Sequence, residues 1–142
     1  SIRDYGLFHP HFLERNLRVF FAHFPTFTEA SPYVQISKHG LGFFVASPFF
    51  LWLLWVRRGD RLTLSLVATA LVVLVPALFY QNTGWEQFSY RFSIDALPLL
   101  GAILAIQHPV IGSLGRSAIG ISILIQLFGA IVFGRYPQFF GG

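Results

Sequence analysis

The chain lacks cysteine and methionine altogether, and only 11% of its 142 residues are charged. The absence of cysteine excludes disulfides and thiolate metal sites. A soluble domain usually carries about 25% charged residues. With less than half that share, the chain cannot cover a water-facing surface without exposing large apolar patches. The composition therefore predicts an integral membrane protein.

The residues that are abundant support the same interpretation. Hydrophobic residues make up 54% of the chain, including 17 phenylalanines and three tryptophans, which suit lipid contact and the bilayer interface. The net charge is +4, but the basic residues are scattered at the ends of apolar runs. Such residues are typical of interface anchors and not of a nucleic-acid surface. Because the first residue is Ser1, we expect a processed chain or part of a longer polypeptide.

Four apolar segments predict four transmembrane helices in an all-α bundle, because a chain in hydrocarbon must satisfy its own backbone hydrogen bonds. The predicted spans are residues 41–56, 62–80, 88–106 and 117–133. Residues 97–106 alone would rise only ~15 Å, so the third span is extended back to Phe88 to cross the bilayer. Pro48, Pro76 and Pro98 predict local kinks. Short links between the spans predict antiparallel neighbours.

Basic residues predict the orientation of the bundle. Arg57, Arg58 and Arg61 form the densest basic turn, and Arg116 falls on the same side. The positive-inside rule places this turn in the cytoplasm. The 81–91 loop and both termini would then lie outside.

The first 39 residues predict an extracytoplasmic or interfacial segment with an amphipathic helix at residues 11–24. Apolar residues recur there at nearly helical spacing, and Glu14 and Arg18 lie four apart on the polar side. This helix would either lie in the interface plane or pack against the bundle. The two arrangements are compatible, and the pattern does not choose between them.

Asp95 is the acid nearest the membrane interior, and intramembrane acids are often functional. Arg91 lies four residues earlier, so we expect a structural ion pair on one helix face. The alternative is that Arg91 binds a lipid phosphate. The five histidines lie outside the apolar spans, where we expect interfacial hydrogen bonding: His9, His11, His23, His39 and His108. His9 and His11 give only a weak metal signal, and we predict no metal or cofactor.

Small and polar residues recur along one face of the fourth span at Ala118, Ser122, Gln126 and Gly129. Small residues let helices approach closely, and a buried glutamine can bond across the contact. We predict a packing face toward another segment or another chain. The sequence contains no phosphate-binding glycine loop, nucleophile elbow or zinc spacing, so it predicts no catalytic residue.

One segment is more specific, and it runs Tyr80-Gln-Asn-Thr-Gly-Trp-Glu-Gln-Phe-Ser-Tyr-Arg-Phe-Ser-Ile-Asp-Ala-Leu-Pro98. It resembles the last external loop and following helix of bacterial polytopic proteins related to the family-39-like GT-C glycosyltransferases, which use polyprenyl-phosphate sugars. The rest of the chain is similar to the carboxy-terminal part of such proteins. The resemblance implies a bacterial inner-membrane location and makes Glu86 and Arg91 candidates for donor or acceptor contact.

In that family the catalytic acid lies in the first external loop, which a carboxy-terminal third would not include. We therefore expect a non-catalytic membrane part of a GT-C-like protein that contacts membrane lipids and other transmembrane helices. The alternative is an accessory or scaffold subunit of a larger membrane complex, photosynthetic or respiratory, which packs against partner helices and holds lipids or pigments.

Overall fold

Helices dominate the chain in a computed structural model, which describes residues 2–57, 59–107 and 111–141. The α-helices are α1 (Ile2–Tyr5), α2 (Leu13–Ala22), α3 (Phe43–Ala46), α4 (Arg61–Phe79), α5 (Leu97–Gln107) and α6 (Ser113–Val132). Four 3₁₀ segments supplement them: Pro10–Phe12, Pro48–Trp55, Arg91–Ala96 and Pro137–Phe139. Two short strands, β1 (Thr26–Phe27) and β2 (Val34–Gln35), pair antiparallel with Thr26 opposite Gln35.

Two helices, α4 and α6, are long and apolar enough to cross a membrane. With 19 and 20 residues they rise about 28 and 30 Å, close to the hydrocarbon thickness. Asp60 caps α4 because its carboxylate accepts a hydrogen bond from the Thr63 backbone N–H at 2.7 Å. The predicted spans 62–80 and 117–133 correspond to these helices, although α6 begins four residues earlier, at Ser113.

The first predicted span, residues 41–56, is not one continuous helix. It consists of the single turn α3 and the eight-residue 3₁₀ segment Pro48–Trp55. Pro48 disfavours the helical conformation in the residue before it, and Ser47 adopts φ −140° and ψ 73°. The two pieces together rise about 22 Å.

The third predicted span, residues 88–106, also differs from a continuous helix. Its first residues are extended because the Leu41 N–H donates to the Phe88 carbonyl at 2.8 Å and the Tyr90 N–H donates to the Leu41 carbonyl at 3.1 Å. The 3₁₀ segment Arg91–Ala96 and then α5 follow, with a combined rise of about 28 Å. Pro98 is the second residue of α5, next to the point where the chain passes from 3₁₀ to α-helical geometry. A proline in the first turn interrupts no hydrogen bond within that helix, and the kink predicted there stays a prediction.

Helix α2 packs against α3 and α4 and supplies the aromatic centre of the core. The Phe20 ring stacks on Phe43 with centroids 5.4 Å apart and meets Tyr90 edge-on at 5.2 Å. The structure thus places the amphipathic helix against the bundle, while Phe21 and Phe24 stay exposed. An aromatic surface remains available for the bilayer interface.

Asn16 ties α2 to the carboxy-terminal end of α4. Its buried Nδ2 donates to the carbonyls of Leu78 at 2.8 Å and Tyr80 at 2.7 Å. The neighbouring Arg15 guanidinium donates to the Gln81 carbonyl. The last carbonyls of a helix have no partners within the helix, and these side-chain donors supply them. The positive charge of Arg15 also complements the negative end of the α4 dipole.

The bundle has two ends of different chemistry. At one end, the Gln107 amide donates to Thr63 at 2.8 Å and Asp60 at 3.1 Å, and its oxygen accepts from the Arg57 N–H at 3.1 Å. We call this the arginine end, because Arg57 and Arg61 lie there. The other, the cap end, holds the β1–β2 hairpin, the 81–91 loop and the carboxy-terminal tail, joined by backbone bridges.

The outer faces of α4 and α6 expose large apolar side chains. The accessible surface is 9091 Å², whereas a folded soluble protein of 16.0 kDa exposes about 7,400 Å². Leu71, Val72, Ile123 and Leu124 contribute to this surface, each about half exposed or more. Such faces suit contact with lipid hydrocarbon or with further apolar helices, where exposed apolar groups carry no penalty.

Candidate functional site

The side-chain amide of Gln87 organises the cap end. Its Nε2 donates to the carbonyls of His39 at 2.6 Å and Thr83 at 3.0 Å, and its Oε1 accepts from the Arg91 N–H at 3.1 Å. The residue is buried, so these bonds form away from solvent. One side chain therefore fixes the 81–91 loop onto the segment before α3.

Two glycines permit this close approach. Gly40 has φ +75°, and a Cβ there would lie 2.8 Å from the Gln87 carbonyl oxygen. Gly84 has φ +88°, and a Cβ there would overlap the Gln87 amide. A side chain at either position would meet both backbone strain and a steric clash.

Two histidines, each bonded to a hydroxyl, lie beside Gln87. His39 Nδ1 is 2.6 Å from Thr83 Oγ1, and His23 Nε2 is 2.6 Å from Ser37 Oγ. The two imidazole rings meet edge to face at 6.1 Å. We call His23, Ser37, His39, Thr83 and Gln87 the polar cap.

The surroundings keep both imidazoles neutral at pH 7. Burial, and secondarily the charge of His39, lowers the pKa of His23. Burial, and secondarily the Arg15 guanidinium, lowers the pKa of His39. Neutral imidazoles serve here as hydrogen-bond partners of hydroxyls.

A small groove opens beside the polar cap. Lys38 places its ammonium 5.3 Å from the centroid of the Trp85 ring, and Trp85 is 48% exposed. Lys38, Glu86, Phe133 and Phe140 line the groove, whose volume is about 310 Å³. The groove therefore has a cation, a carboxylate and an apolar wall, and the Trp85 indole lies nearby. These groups suit a ligand with a charged, hydroxyl-rich headgroup and a hydrophobic tail.

The ion pair predicted between Arg91 and Asp95 does not form in the structure. Both side chains are exposed, and the Arg91 guanidinium lies 5.4 Å from the Phe92 ring centroid. The prediction assumed an α-helix, in which residues four apart differ by about 40° around the axis. In the 3₁₀ segment observed there they differ by about 120°, so the side chains diverge.

The residues predicted as a packing face of α6 face the chain's own first and third predicted spans. Ser122 Oγ accepts from the Phe49 N–H at 3.2 Å, and Gln126 Nε2 donates to Ser47 Oγ at 3.1 Å. A Cβ at Gly129 would overlap the Phe88 ring. Ala118, one turn before Ser122, is also buried.

The remaining histidines are not part of the polar cap. His9 caps the first 3₁₀ segment by accepting from the His11 N–H at 3.1 Å, and His11 stacks on Tyr5 at 4.2 Å. His108, like Arg58, lies outside the described residues. Within residues 2–57, 59–107 and 111–141, no three His, Asp or Glu side chains are grouped to hold a metal ion.

Sequence reasoning missed Gln87, Thr83 and Lys38 as members of this region. Their contacts join positions more than 40 residues apart, a distance that local pattern does not reach. The available signal was a pair of glycines, Gly40 and Gly84, each next to polar residues. Comparisons with protein-family models, curated proteins and solved structures gave no match.

Proposed function

We propose that the chain is the non-catalytic carboxy-terminal membrane part of a GT-C-like glycosyltransferase-related protein, and that its cap end holds the headgroup of a polyprenyl-phosphate sugar. One observation carries the proposal: Lys38 and Glu86 both line a groove beside the exposed Trp85. Trp85 and Glu86 belong to the segment that resembles the last external loop of that family.

Each element of such a ligand has a chemical counterpart in the groove. The Lys38 ammonium is the cation for a phosphate, and the Glu86 carboxylate accepts hydrogen bonds from sugar hydroxyls. The exposed part of the Trp85 indole, next to the Lys38 ammonium, offers an apolar platform for a sugar ring. Phe133 and Phe140 continue the wall toward the bundle, where an isoprenoid chain would follow apolar surface.

The proposed membrane arrangement has four passes in a bacterial inner membrane, with the cap end outside. Helices α4 and α6 form two passes of full length. The composite segments 43–57 and 91–107 supply the other two, because each runs from the cap end to the arginine end. Their 3₁₀ portions rise about 2.0 Å per residue, which lengthens short segments toward bilayer thickness.

We assign no catalytic residue. Each histidine of the polar cap pairs with a hydroxyl, His23 with Ser37 and His39 with Thr83. Among the described residues, however, no carboxylate bonds to either imidazole, and an activated nucleophile needs such a third group to orient its base. The polar cap therefore serves as a rigid support beneath the groove. We expect a purified sample of this chain to transfer no sugar to any acceptor.

A second candidate, an accessory subunit that packs against partner helices, is favoured by Gly101 and Gly120. Gly101 lies on α5 and Gly120 on α6, and a Cβ at either would meet no atom within 4 Å. Open positions of this kind let another helix approach closely. This candidate needs no ligand at Lys38.

Fluorescence of Trp85 separates the two candidates. Trp52→Phe with Trp55→Phe leaves Trp85 as the one tryptophan, and a short-chain polyprenyl-phosphate sugar is titrated in detergent. We expect a saturable change in Trp85 emission, with binding weakened about fivefold or more by Lys38→Gln, because a lost charge contact is equivalent to about 1 kcal/mol or more.

The control is Arg18→Gln, which removes a more exposed cation on α2 that pairs with Glu14 at 3.1 Å and lies outside the groove. It should leave the titration unchanged. A folded protein whose Trp85 emission does not respond to the ligand would contradict the donor-binding proposal and favour the accessory subunit.

A further inference from the structure

A second groove, larger than the one beside the polar cap, lies at the arginine end. Its volume is about 820 Å³, and its walls come from Pro48–Trp55, the end of α5 and the first half of α6. Leu51, Trp52, Leu104 and Ala118 contribute apolar wall. This volume lies in the range of about 300–1,000 Å³ that holds small amphiphiles.

The break at Ser47 creates this groove. On the side of the cap end, Ser122 accepts from the Phe49 N–H at 3.2 Å and holds the 3₁₀ segment against α6. On the side of the arginine end, Gly115 lets Trp52 and Ile111 come close to α6, since a Cβ there would lie 3.3 Å from Trp52 Cζ2 and 2.8 Å from Ile111 Cγ2. A space remains between these contacts and the end of α5.

The mouth of the groove is positively charged. Arg57 and Gln107 line it, and the Arg57 guanidinium makes no ion pair or hydrogen bond with the described residues. Asp60, the acid at this end, is occupied by hydrogen bonds from Thr63 and Gln107, which lower its pKa. Asp60 stays ionised but does not line the groove, so an anion there would meet the Arg57 guanidinium and no lining carboxylate.

We propose that this groove binds an anionic phospholipid, with its phosphate at Arg57 and one acyl chain along the apolar wall. The charge at the mouth selects an anion, and the apolar wall selects a tail. Trp52 and Trp55 line the groove near the mouth, as aromatic residues do at bilayer interfaces. The lining of α6 extends only from Leu114 to Ile121, a rise of about 10 Å. A partner helix would instead contact the whole bundle height.

Native mass spectrometry of the intact chain tests whether the Arg57 charge contributes to lipid binding. Phosphatidylglycerol or phosphatidylcholine with identical acyl chains is added to protein in detergent, and retained lipid is counted. We expect preferential retention of phosphatidylglycerol and an approximately fivefold weaker affinity in Arg57→Gln, equivalent to about 1 kcal/mol for one basic residue near a lipid phosphate. Arg61→Gln is the matched control, because Arg61 lies at the same end outside the groove.

A second variant tests the groove itself. Ser117 lines it with an exposed side chain, so Ser117→Trp should fill it and strip the lipid, whereas Ala130→Trp, exposed farther along α6, should not. Soluble glycerol phosphate should not displace the lipid, because it has no chain for the groove. Equal losses in Arg57→Gln and Arg61→Gln, equal retention of both lipids, or full retention in Ser117→Trp would each overturn the proposal.

Discussion

Gln87→Leu is the substitution that most directly perturbs the cap end. It replaces the polar side chain with an apolar one of similar size. All three hydrogen bonds are lost: the two donated to the His39 and Thr83 carbonyls and the one accepted from the Arg91 N–H. Each bond contributes about 0.5–1.5 kcal/mol net, and a buried group left unsatisfied costs more. We expect a loss of about 2–4 kcal/mol in the free energy of unfolding.

Thermal unfolding in detergent measures this loss. For a chain of this length, 1 kcal/mol corresponds to about 3 °C, so the unfolding midpoint should fall by about 6–12 °C. Gln138→Leu is the control, because Gln138 is an exposed glutamine of the carboxy-terminal tail. A Gln87→Leu protein as stable as the Gln138→Leu protein would refute the reasoning that Gln87 joins the loop to the bundle.

Three further predictions concern stability in the same assay. Asn16→Asp should lower the midpoint more than Asn16→Ala, because a carboxylate would face carbonyl oxygens at the negative end of α4. Gly129→Ala should destabilise by about 1–3 kcal/mol through overlap with a phenyl ring, whereas Gly120→Ala, in open space, should stabilise by up to about 1 kcal/mol. The lowered pKa values of His23 and His39 mean that the unfolded chain binds more protons below pH 6.5, so stability should fall as pH drops from 7.5 to 5; a variant with glutamine at both positions should lose this dependence.

The helices α4 and α6 could be predicted because their signals are local. Each is a long apolar run, and α4 begins at a capping aspartate, Asp60. The first and third segments resisted prediction for a different reason. Pro48 gave a visible signal for a break, but the extended start of the third segment depends on Leu41, which lies almost 50 residues earlier. Hydropathy does not encode such a pairing.

The candidate site shows the same difference between local signals, which the sequence contains, and non-local contacts, which it does not reveal. Charge spacing singled out Arg91 and Asp95 on the assumption of α-helical geometry, and the 3₁₀ segment separates them. Glu86 was identified through the family resemblance, and the structure places it in a groove with Lys38. The contacts that build this region are non-local, as in the hydrogen bond between Gln87 and His39. They follow from tertiary packing and not from any local motif.

The central claim is that the chain crosses the bilayer four times and separates the polar cap from the arginine end. Because the chain has no cysteine, single cysteines can be introduced at Glu29, Gly59, Trp85, Gly112 and Gln138, all exposed and each in a different link or tail. A membrane-impermeant maleimide applied to sealed, oriented vesicles should label positions 29, 85 and 138 from the outside. Positions 59 and 112 should be labelled only after the vesicles are opened. Labelling of positions 29 and 59 from the same side would contradict the account.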